Sequence, residues 1–504
     1  MDLLKSNWIP IRANHGAGAF RLLTLEELLC AEGDWRVSLP RDDLELACIQ
    51  LLVCMAQVMF LPEDKARLRQ RAGTPLKPEE LADAIKPFAD WFYLAHPTQP
   101  FMQTRGVKAA EDTPIQKLLI GLPEGNNHAF FNEVGEVSRL SAPVAAIALF
   151  NQAVNSPSFG GGFKGGLRGG APITTLVSGP DLRATLWRNV VTLPDIQSYL
   201  PGYRPDFSKD RPTWVDPIRE KQTLHAHEIG LARGLFWQPA HVELVSADED
   251  VPCDVVGGER GPSYAGFRKE KFNFTVEGLW PHPHGARLMV KKAGVLEEKF
   301  ASFTTTAPGW THLTSFVVPQ PMIEGAAEGS IPAAPVQYTT ENFPGQRLHL
   351  LVGGYRTKQA SVLERRHEFF NLAEGWEEEG RDRVRQLVQL GLDAKKVLRG
   401  RLYYAVQGDS KKGMKGLGVA LHETGDKLFY AQTETFFHDT LREKLSSKEW
   451  KAGKAEFTRR IADTCKSIYE DLTAPYTHKP ELIPIIAWAR RSLNSELAKL
   501  TEGT

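Results

Sequence analysis

The sequence predicts an α+β protein: a large irregular mixed α/β N-terminal domain at residues 1–375, followed by a C-terminal four-helix bundle at residues 376–504. Two observations predict this division. Short β-like runs, helical stretches and frequent glycine and proline residues mix up to about residue 375, and helical spacing dominates after it. With 504 residues, 42% of them hydrophobic, the chain is long enough for at least two domains.

In the first region, strands and helices do not alternate in the regular order of a parallel α/β sheet. The segment DDLELACIQLLVCMAQVMF has apolar residues at spacings of three and four, which predicts a core-facing helix capped by Asp42 or Asp43. The β-like runs are ITTLVSG near Thr174, KFNFTVEGLW near Phe272, HLTSFVVP near Phe316 and LHLLVGGY near Leu350.

After residue 375, four segments each place apolar residues on one helical face, which predicts a bundle with short connections. They run from Val384 to Ala405, through Leu428, Phe429, Phe436 and Leu441, from Phe457 to a break at Ala474–Pro475, and from Pro480 to Leu500.

Charge balance, the N-terminal segment, the apolar stretches and the cysteines indicate the broad class of protein. Lys plus Arg and Asp plus Glu are balanced at 61 each, so any nucleic-acid contact must use a local basic patch. The N-terminus lacks the blocks of a signal peptide, and no apolar stretch suggests a membrane span, so we expect a cytoplasmic protein. Cys48, Cys54 and Cys465 lie in apolar helical runs, which predicts buried free thiols.

The most unusual local chemistry is the glycine loop at Ser158–Gly170, SFGGGFKGGLRGG. Its backbone can approach a partner closely, and Lys164 and Arg168 suit phosphates or groove edges. The loop is not a Walker A motif, because Gly165 follows Lys164. A flexible connector would explain the same composition.

Three further segments carry charge that suits DNA. In YAGFRKEKFNF, an extended backbone places Lys269 and Lys271 on one face, where they could follow a DNA strand. Lys291 and Lys292 could bind phosphate nonspecifically. In LLVGGYRTKQASVLERRH, a polar tip that includes Gln359 follows an apolar strand. From the residues alone, solvated strand ends and a solvated hairpin are the favoured interpretation of these segments.

Enzyme signatures are mostly absent. The histidines form neither an H-E-x-x-H helix nor a cysteine-supported zinc site, and no G-x-S-x-G motif or carboxylate dyad is present. We therefore expect no catalysis, no cofactor and no bound metal. Two alternatives stay open: an ATPase that uses the glycine loop, and a metal-dependent hydrolase that uses His225, His227, His282 or His284.

Several separated segments, taken in order, resemble the CasA family, the large subunits of the type I-E CRISPR Cascade complex. They are NWIPIR, WRVSLPRDDLELA, HPTQPFMQTRGVKA, AIALFNQA, SFGGGFKGGLRGG, ARGLFWQPAHVEL, GLWPHPH, GGYRTKQASVLERRH and APYTHKPELI. The resemblance implies a subunit that tests a short protospacer-adjacent motif (PAM) in duplex DNA through the minor groove, while the guide RNA reads the target.

The resemblance also implies roles for particular residues. Phe159 and Gly160–Gly162 correspond to the element that lies in the minor groove. Lys271 corresponds to the family's lysine finger, with Lys269 as the alternative register. Lys358, Gln359 and Ala360 correspond to a wedge, in which Gln359 enters the base stack. Lys358 stands where a small amide residue is expected.

Other implied contacts concern partners. Phe130, with Phe131 as the alternative, corresponds to an aromatic contact with the 5′ handle of the crRNA. Lys291 and Lys292 correspond to a basic patch near the duplex or the displaced strand. The helical bundle is expected to face the small-subunit pair, and a separate helicase-nuclease is expected to be recruited after R-loop formation. Some relatives carry cysteine pairs where only Cys253 is present here, so no zinc is expected.

Overall fold

The computed structural model describes residues 1–13, 18–123, 135–247, 252–256, 261–292, 294–322, 328–358, 360–445 and 448–502. Contacts within the chain divide it into two compact units. The first contains Met1–Thr305, Pro319–Pro344 and Leu350–Phe369, and the second contains Thr306–Val318, Gly345–His349 and Phe370–Thr504. The boundary between residues 375 and 376 stays a prediction about separate domains.

Helices and strands mix along the first unit, which confirms the predicted mixed α/β fold. The elements of both units follow in chain order. The helices are α1 (Leu25–Cys30), α2 (Asp42–Phe60), α3 (Lys65–Gly73), α4 (Pro78–Ile85), α5 (Ala142–Val154), α6 (Leu182–Asn189), α7 (Leu193–Tyr199), α8 (Leu231–Leu235), α9 (Leu313–Val317), α10 (Ala334–Asn342), α11 (Arg381–Gln407), α12 (Leu421–Glu443), α13 (Trp450–Thr473) and α14 (Ile483–Glu502). The strands are β1 (Ile9–Ala13), β2 (Arg21–Leu23), β3 (Trp35–Val37), β4 (Thr113–Pro114), β5 (Leu140–Ser141), β6 (Thr174–Val177), β7 (Gln222–His225), β8 (His241–Ser246), β9 (Ser263–Glu270), β10 (Phe274–Glu277), β11 (Arg287–Lys292), β12 (Val295–Phe300), β13 (Glu328–Ile331), β14 (Leu348–Lys358), β15 (Ser361–Leu372), β16 (Gly408–Asp409) and β17 (Met414–Lys415).

Helix α2 is the core helix of the first unit, as predicted, and packs against α5 and α6. Its N-cap is Arg41, so the prediction of an aspartate cap is wrong. Asp42 and Asp43 instead lie in the first turn, where their negative charges interact favourably with the helix dipole. Among the described helices, α2 alone is long and apolar enough to cross a membrane, and 89% of its apolar window is buried inside the protein.

Two sheets of the first unit bring distant segments together. Strand β9 pairs with β8, so that Lys269 lies opposite Val242. Strand β6 pairs antiparallel with β14, so that Thr174 lies opposite Gly353. Because the two strands run in opposite directions, the chain that precedes Thr174 lies alongside the residues that follow Gly353. The glycine loop and the end of β14 are therefore neighbours by topology.

The second unit contains the four long helices α11–α14, which pack against one another at the predicted positions. Trp310 stacks on Phe437 at 4.6 Å between ring centroids, and a Cβ on Gly391 of α11 would come within 2.8 Å of the same indole. The run around Phe316 forms helix α9, so the prediction of a strand there is wrong. Leu313, Phe316 and Val317 share one buried helical face.

The cysteine predictions agree with the structure. Cys48, Cys54 and Cys465 are free and fully buried, and burial raises the pKa of each thiol. Cys253 is also buried, and Cys30 is half-buried. These thiols therefore behave as small apolar side chains.

Candidate nucleic-acid interface

The glycine loop exposes bare backbone in its first turn. Gly160, Gly161 and Gly162 have φ angles of +80°, +55° and +89°, which residues with a side chain rarely adopt. The Phe163 N–H donates to the Gly160 carbonyl at 3.0 Å and closes the turn. A Cβ on Gly161 would meet no atom of the described residues within 4 Å. A partner can therefore come directly against this backbone.

Phe159 anchors the turn to strand β9. Its ring lies 5.7 Å from the ring of Phe267 and 5.4 Å from that of Phe163. The Lys269 Nζ lies 5.3 Å from the centroid of the Phe159 ring, a cation–π contact. Lys269 thus supports the aromatic base of the loop, and it is half-buried.

Lys271 follows β9 directly and reaches the turn itself. Its Nζ donates to the Gly161 carbonyl at 3.3 Å and lies 3.6 Å from the position of a Cβ on Gly162. The side chain is exposed, so the ammonium group has donors left for a partner. The structure therefore brings both predicted lysines to the glycine loop, in different environments.

The tip of the β14–β15 hairpin completes this cluster. Lys358 is the last residue of β14, and Lys358 and Ala360 are both exposed. The Ala360 Cβ lies 3.6 Å from the position of a Cβ on Gly160. Gln359 lies outside the described residues. We call the resulting cluster the glycine-loop surface; it consists of Phe159, Gly160, Gly161, Gly162, Lys269, Lys271 and Ala360.

The two basic residues within the loop differ. Lys164 is exposed, as a partner-facing lysine must be. Arg168 is only 4% exposed, so the prediction that it suits a phosphate is wrong. Its guanidinium donates to Asn155 Oδ1 and, at 2.8 Å, to Thr174 Oγ1, which lie before and after the loop. Burial lowers the pKa of Arg168 to about 9. Arg168 therefore stabilises the loop through buried hydrogen bonds to the residues on either side of it.

Lys291 and Lys292 lie at the end of β11, in the sheet ordered β12-β11-β13. Both are exposed, but successive strand residues point to opposite faces, so the two ammonium groups diverge. The Lys292 Nζ lies 3.7 Å from Glu297 Oε2. An exposed pair at this distance binds weakly, and phosphate can compete with it.

The histidines considered as metal ligands fall into two separate pairs. His225 and His227 are exposed and stacked, and His225 Nδ1 lies 3.2 Å from Glu277 Oε2. His282 and His284 are buried, and burial lowers the pKa of His284 to about 3. Within the described ranges, no three His, Cys, Asp or Glu side chains are grouped as metal ligands.

Comparison with protein families decides the relationship. The family model of the CRISPR-associated protein Cse1 matches residues 2–468. The chain belongs to the Cse1 family. The resemblance to CasA, which rested on short motifs in the sequence, is therefore confirmed.

Known members of the family agree in sequence and in fold. The CasA/Cse1 protein of Thermus thermophilus is 26% identical over 266 residues, which is 50% of this chain and 50% of that protein. The match therefore spans about half of that relative's length. Thermobifida fusca Cse1 has a TM-score of 0.75 at 18% identity, covering 100% of this chain and 98% of its own. A chain in the structure of a CRISPR RNA-guided surveillance complex has a TM-score of 0.70 at 16% identity, covering 98% of this chain and 99% of that one. At these identities the structural likeness shows the fold.

In this Cse1-family chain, Phe130 and Phe131 lie outside the described residues, and Gln116 contacts the residues on both sides of their segment. Gln116 is fully buried, and its amide donates to the Pro123 carbonyl at 2.7 Å. Its Oε1 accepts from the Gly135 N–H at 2.9 Å. One side chain thus binds both ends of the segment. Sequence reasoning missed Gln116, because nothing in the local pattern distinguishes this glutamine from the adjacent Lys117.

Proposed function

We propose that this chain is the large subunit of a type I-E Cascade complex, which reads the PAM in double-stranded DNA through the minor groove. The observation that carries the proposal is the glycine-loop surface. Residues about 100 and 200 positions apart meet there, with bare backbone, an exposed lysine and a hairpin tip side by side. The same fold occurs in a chain of a CRISPR RNA-guided surveillance complex, which supports this role.

Bare backbone suits the minor groove for a physical reason. The groove of B-form DNA is only ~6 Å wide and excludes most side chains, but a glycine backbone can enter it. At Gly161 no atom of the described residues lies within 4 Å of a Cβ position, so none of them hinders this approach. Peptide N–H groups can then donate to the base acceptors on the groove floor.

Lys271 is our preferred groove donor, and Lys269 a support for the loop. The Lys271 ammonium is exposed and is already held at the turn by the Gly161 carbonyl. The Lys269 ammonium lies over the Phe159 ring instead. Minor-groove acceptors differ little between A·T and T·A pairs, so such a reader tolerates several PAMs.

Gln359 is proposed to enter the base stack beyond the PAM and to start unwinding, so that crRNA pairing forms the R-loop. Ala360 supports this role because it lies against Gly160, next to the proposed groove contact. Lys358 and Lys164, both exposed, are proposed to contact the flanking phosphates. Breaking one base-pair step costs a few kcal/mol, which the contacts made by the loop must offset.

Further partners follow from the same assignment. Phe130 is proposed to stack on the crRNA handle, a contact of ~1–3 kcal/mol per base in comparable proteins. Lys291 and Lys292 are proposed to bind the duplex or the displaced strand.

We propose that α11–α14 form a four-helix bundle against the small-subunit pair, and that the chain helps to recruit a helicase-nuclease in antiviral defence. We expect the chain to be cytoplasmic and not to be an enzyme.

A PAM-library experiment tests this function. The complete guide-loaded complex is incubated with duplexes whose base pairs next to the guide-matched sequence are randomised, and the bound duplexes are sequenced. We expect a short motif to be enriched with the complex and not with a complex that lacks this subunit. Equal recovery of all sequences would contradict PAM reading by this chain.

A further inference from the structure

A buried chain of hydrogen bonds leads from the glycine loop to the β14–β15 hairpin. Inside the loop, Arg168 donates to Asn155 Oδ1, and the Asn155 amide donates to Asn151 Oδ1 at 3.1 Å. The Asn151 amide donates to the Tyr355 hydroxyl at 2.7 Å. This hydroxyl donates to Asp43 Oδ2 at 2.8 Å. The chain joins the loop, α5, β14 and the start of α2.

The donors of this chain all point the same way. A guanidinium stands at one end and a carboxylate at the other, so each hydrogen bond polarises the next in the same sense. The five side chains are at most 7% exposed, and water does not compete with their bonds. Asp43 is held in turn by Arg41, through bonds of 3.0 and 2.7 Å.

Tyr355 and Asn151 stand between two parts of the proposed interface without belonging to its surface. Tyr355 lies on β14, three residues before Lys358, and Asn151 lies on α5, which leads into the glycine loop. Successive base pairs of DNA are ~3.4 Å apart. If the loop reads one base pair while the hairpin tip opens the next, the loop and the tip must be held at a fixed separation.

We propose that the chain from Arg168 through Asn155, Asn151 and Tyr355 to Asp43 fixes this separation, and that Tyr355 and Asn151 are positioning residues for duplex opening. The positioning role in duplex opening rests on the proposed function, whereas the fixed separation of the loop and the hairpin does not. The mechanical link between loop and hairpin can be measured in the protein without DNA.

The variant Tyr355→Phe removes the central hydroxyl and keeps the buried ring. Its matched control is Tyr469→Phe in the second unit, because the buried Tyr469 hydroxyl donates to the Ile486 carbonyl at 2.9 Å. Tyr469→Phe loses one buried hydrogen bond, whereas Tyr355→Phe loses two, the bond accepted from Asn151 and the bond donated to Asp43. Because the two variants lose different numbers of bonds, circular dichroism first establishes that both stay fully folded under the conditions of the measurement. An effect found only in folded Tyr355→Phe then reports the link and not a general loss of stability.

The first measurement is the distance between spin labels at Lys164→Cys and Lys358→Cys, both exposed sites, in the full chain with Cys30→Ala. The other native cysteines are buried and resist labelling. We expect Tyr355→Phe to broaden the distance distribution and Tyr469→Phe to keep the width of the parent protein. Equal widths in all three proteins would overturn the link.

The second measurement is the rate of PAM-dependent duplex opening by the assembled complex. We expect Tyr355→Phe to slow opening by at least roughly tenfold, because one lost buried hydrogen bond typically has that effect and this variant loses two, while PAM-duplex affinity stays close to that of the parent. Broadened distances with an unchanged opening rate would overturn the positioning role alone. A parent complex that opens DNA without regard to the PAM would instead overturn the proposed function, and the label distances would still decide the link.

Discussion

Replacing Gly161 with leucine puts a side chain where the proposed minor-groove contact is closest. Gly161 has a φ of +55°, and a Cβ there would meet no atom of the described residues within 4 Å, so these residues leave room for the side chain. The left-handed backbone costs a residue with a Cβ about 1–2 kcal/mol. This cost is the same with and without DNA and cancels from the binding constant. A loss of affinity therefore reports contact between leucine and DNA.

The expected loss of DNA affinity follows from the width of the minor groove. Leucine does not fit beside the backbone in a groove ~6 Å wide, so the loop must withdraw. Losing about two or three backbone hydrogen bonds of ~1 kcal/mol each lowers the affinity roughly 30- to 160-fold. Fluorescence anisotropy with a PAM-bearing duplex and the assembled complex measures this affinity.

The matched control for Gly161→Leu is Gly413→Leu. Gly413 has a φ of +66° and, like Gly161, no atom of the described residues within 4 Å of its Cβ position, but it belongs to the second unit, outside the glycine-loop surface. The control therefore has a similar backbone cost and no expected contact with PAM DNA. Parent-like affinity of Gly161→Leu, or an equal loss in both variants, would refute the reasoning.

Two further predictions concern the side chains beside the loop. Lys271→Ala should weaken binding and reduce the slope of log affinity against log salt by about 1, because one ammonium group no longer displaces counterions. Lys451→Ala, at an exposed site on α13, should keep the parent slope, and an unaltered slope in Lys271→Ala would show that Lys271 does not touch DNA. Gln359→Ala should spare the first encounter with the PAM and slow R-loop formation on linear DNA; unchanged unwinding kinetics would count against a wedge.

The long helices were predictable from sequence because their apolar residues repeat with the helical period over many turns. The spacing of Val384, Leu387 and Val388 is one example, and all three are buried in α11. The short run around Phe316 was not predictable in the same way. So short an apolar run fits a strand as well as a helix, and tertiary packing selected the helix.

The glycine loop shows a different limit. The sequence could indicate exposed backbone and nearby lysines, but it has no period that tells which of Lys164 and Arg168 faces solvent. Arg168 turns inward because Asn155 and Thr174 offer buried acceptors, and these lie on other elements. The contact of Ala360 with Gly160 likewise depends on the pairing of β6 with β14, which no local pattern shows.

The measurement that tests the central claim most directly is binding to PAM duplexes with altered base edges. Purines with a 7-deaza substitution lose an acceptor only in the major groove, whereas 3-deazaadenine or inosine changes only the minor-groove edge. If the glycine-loop surface reads the minor groove, the assembled complex should bind 7-deaza duplexes like unmodified DNA and lose affinity for the minor-groove analogues. Loss of binding with the 7-deaza duplexes alone would contradict minor-groove reading.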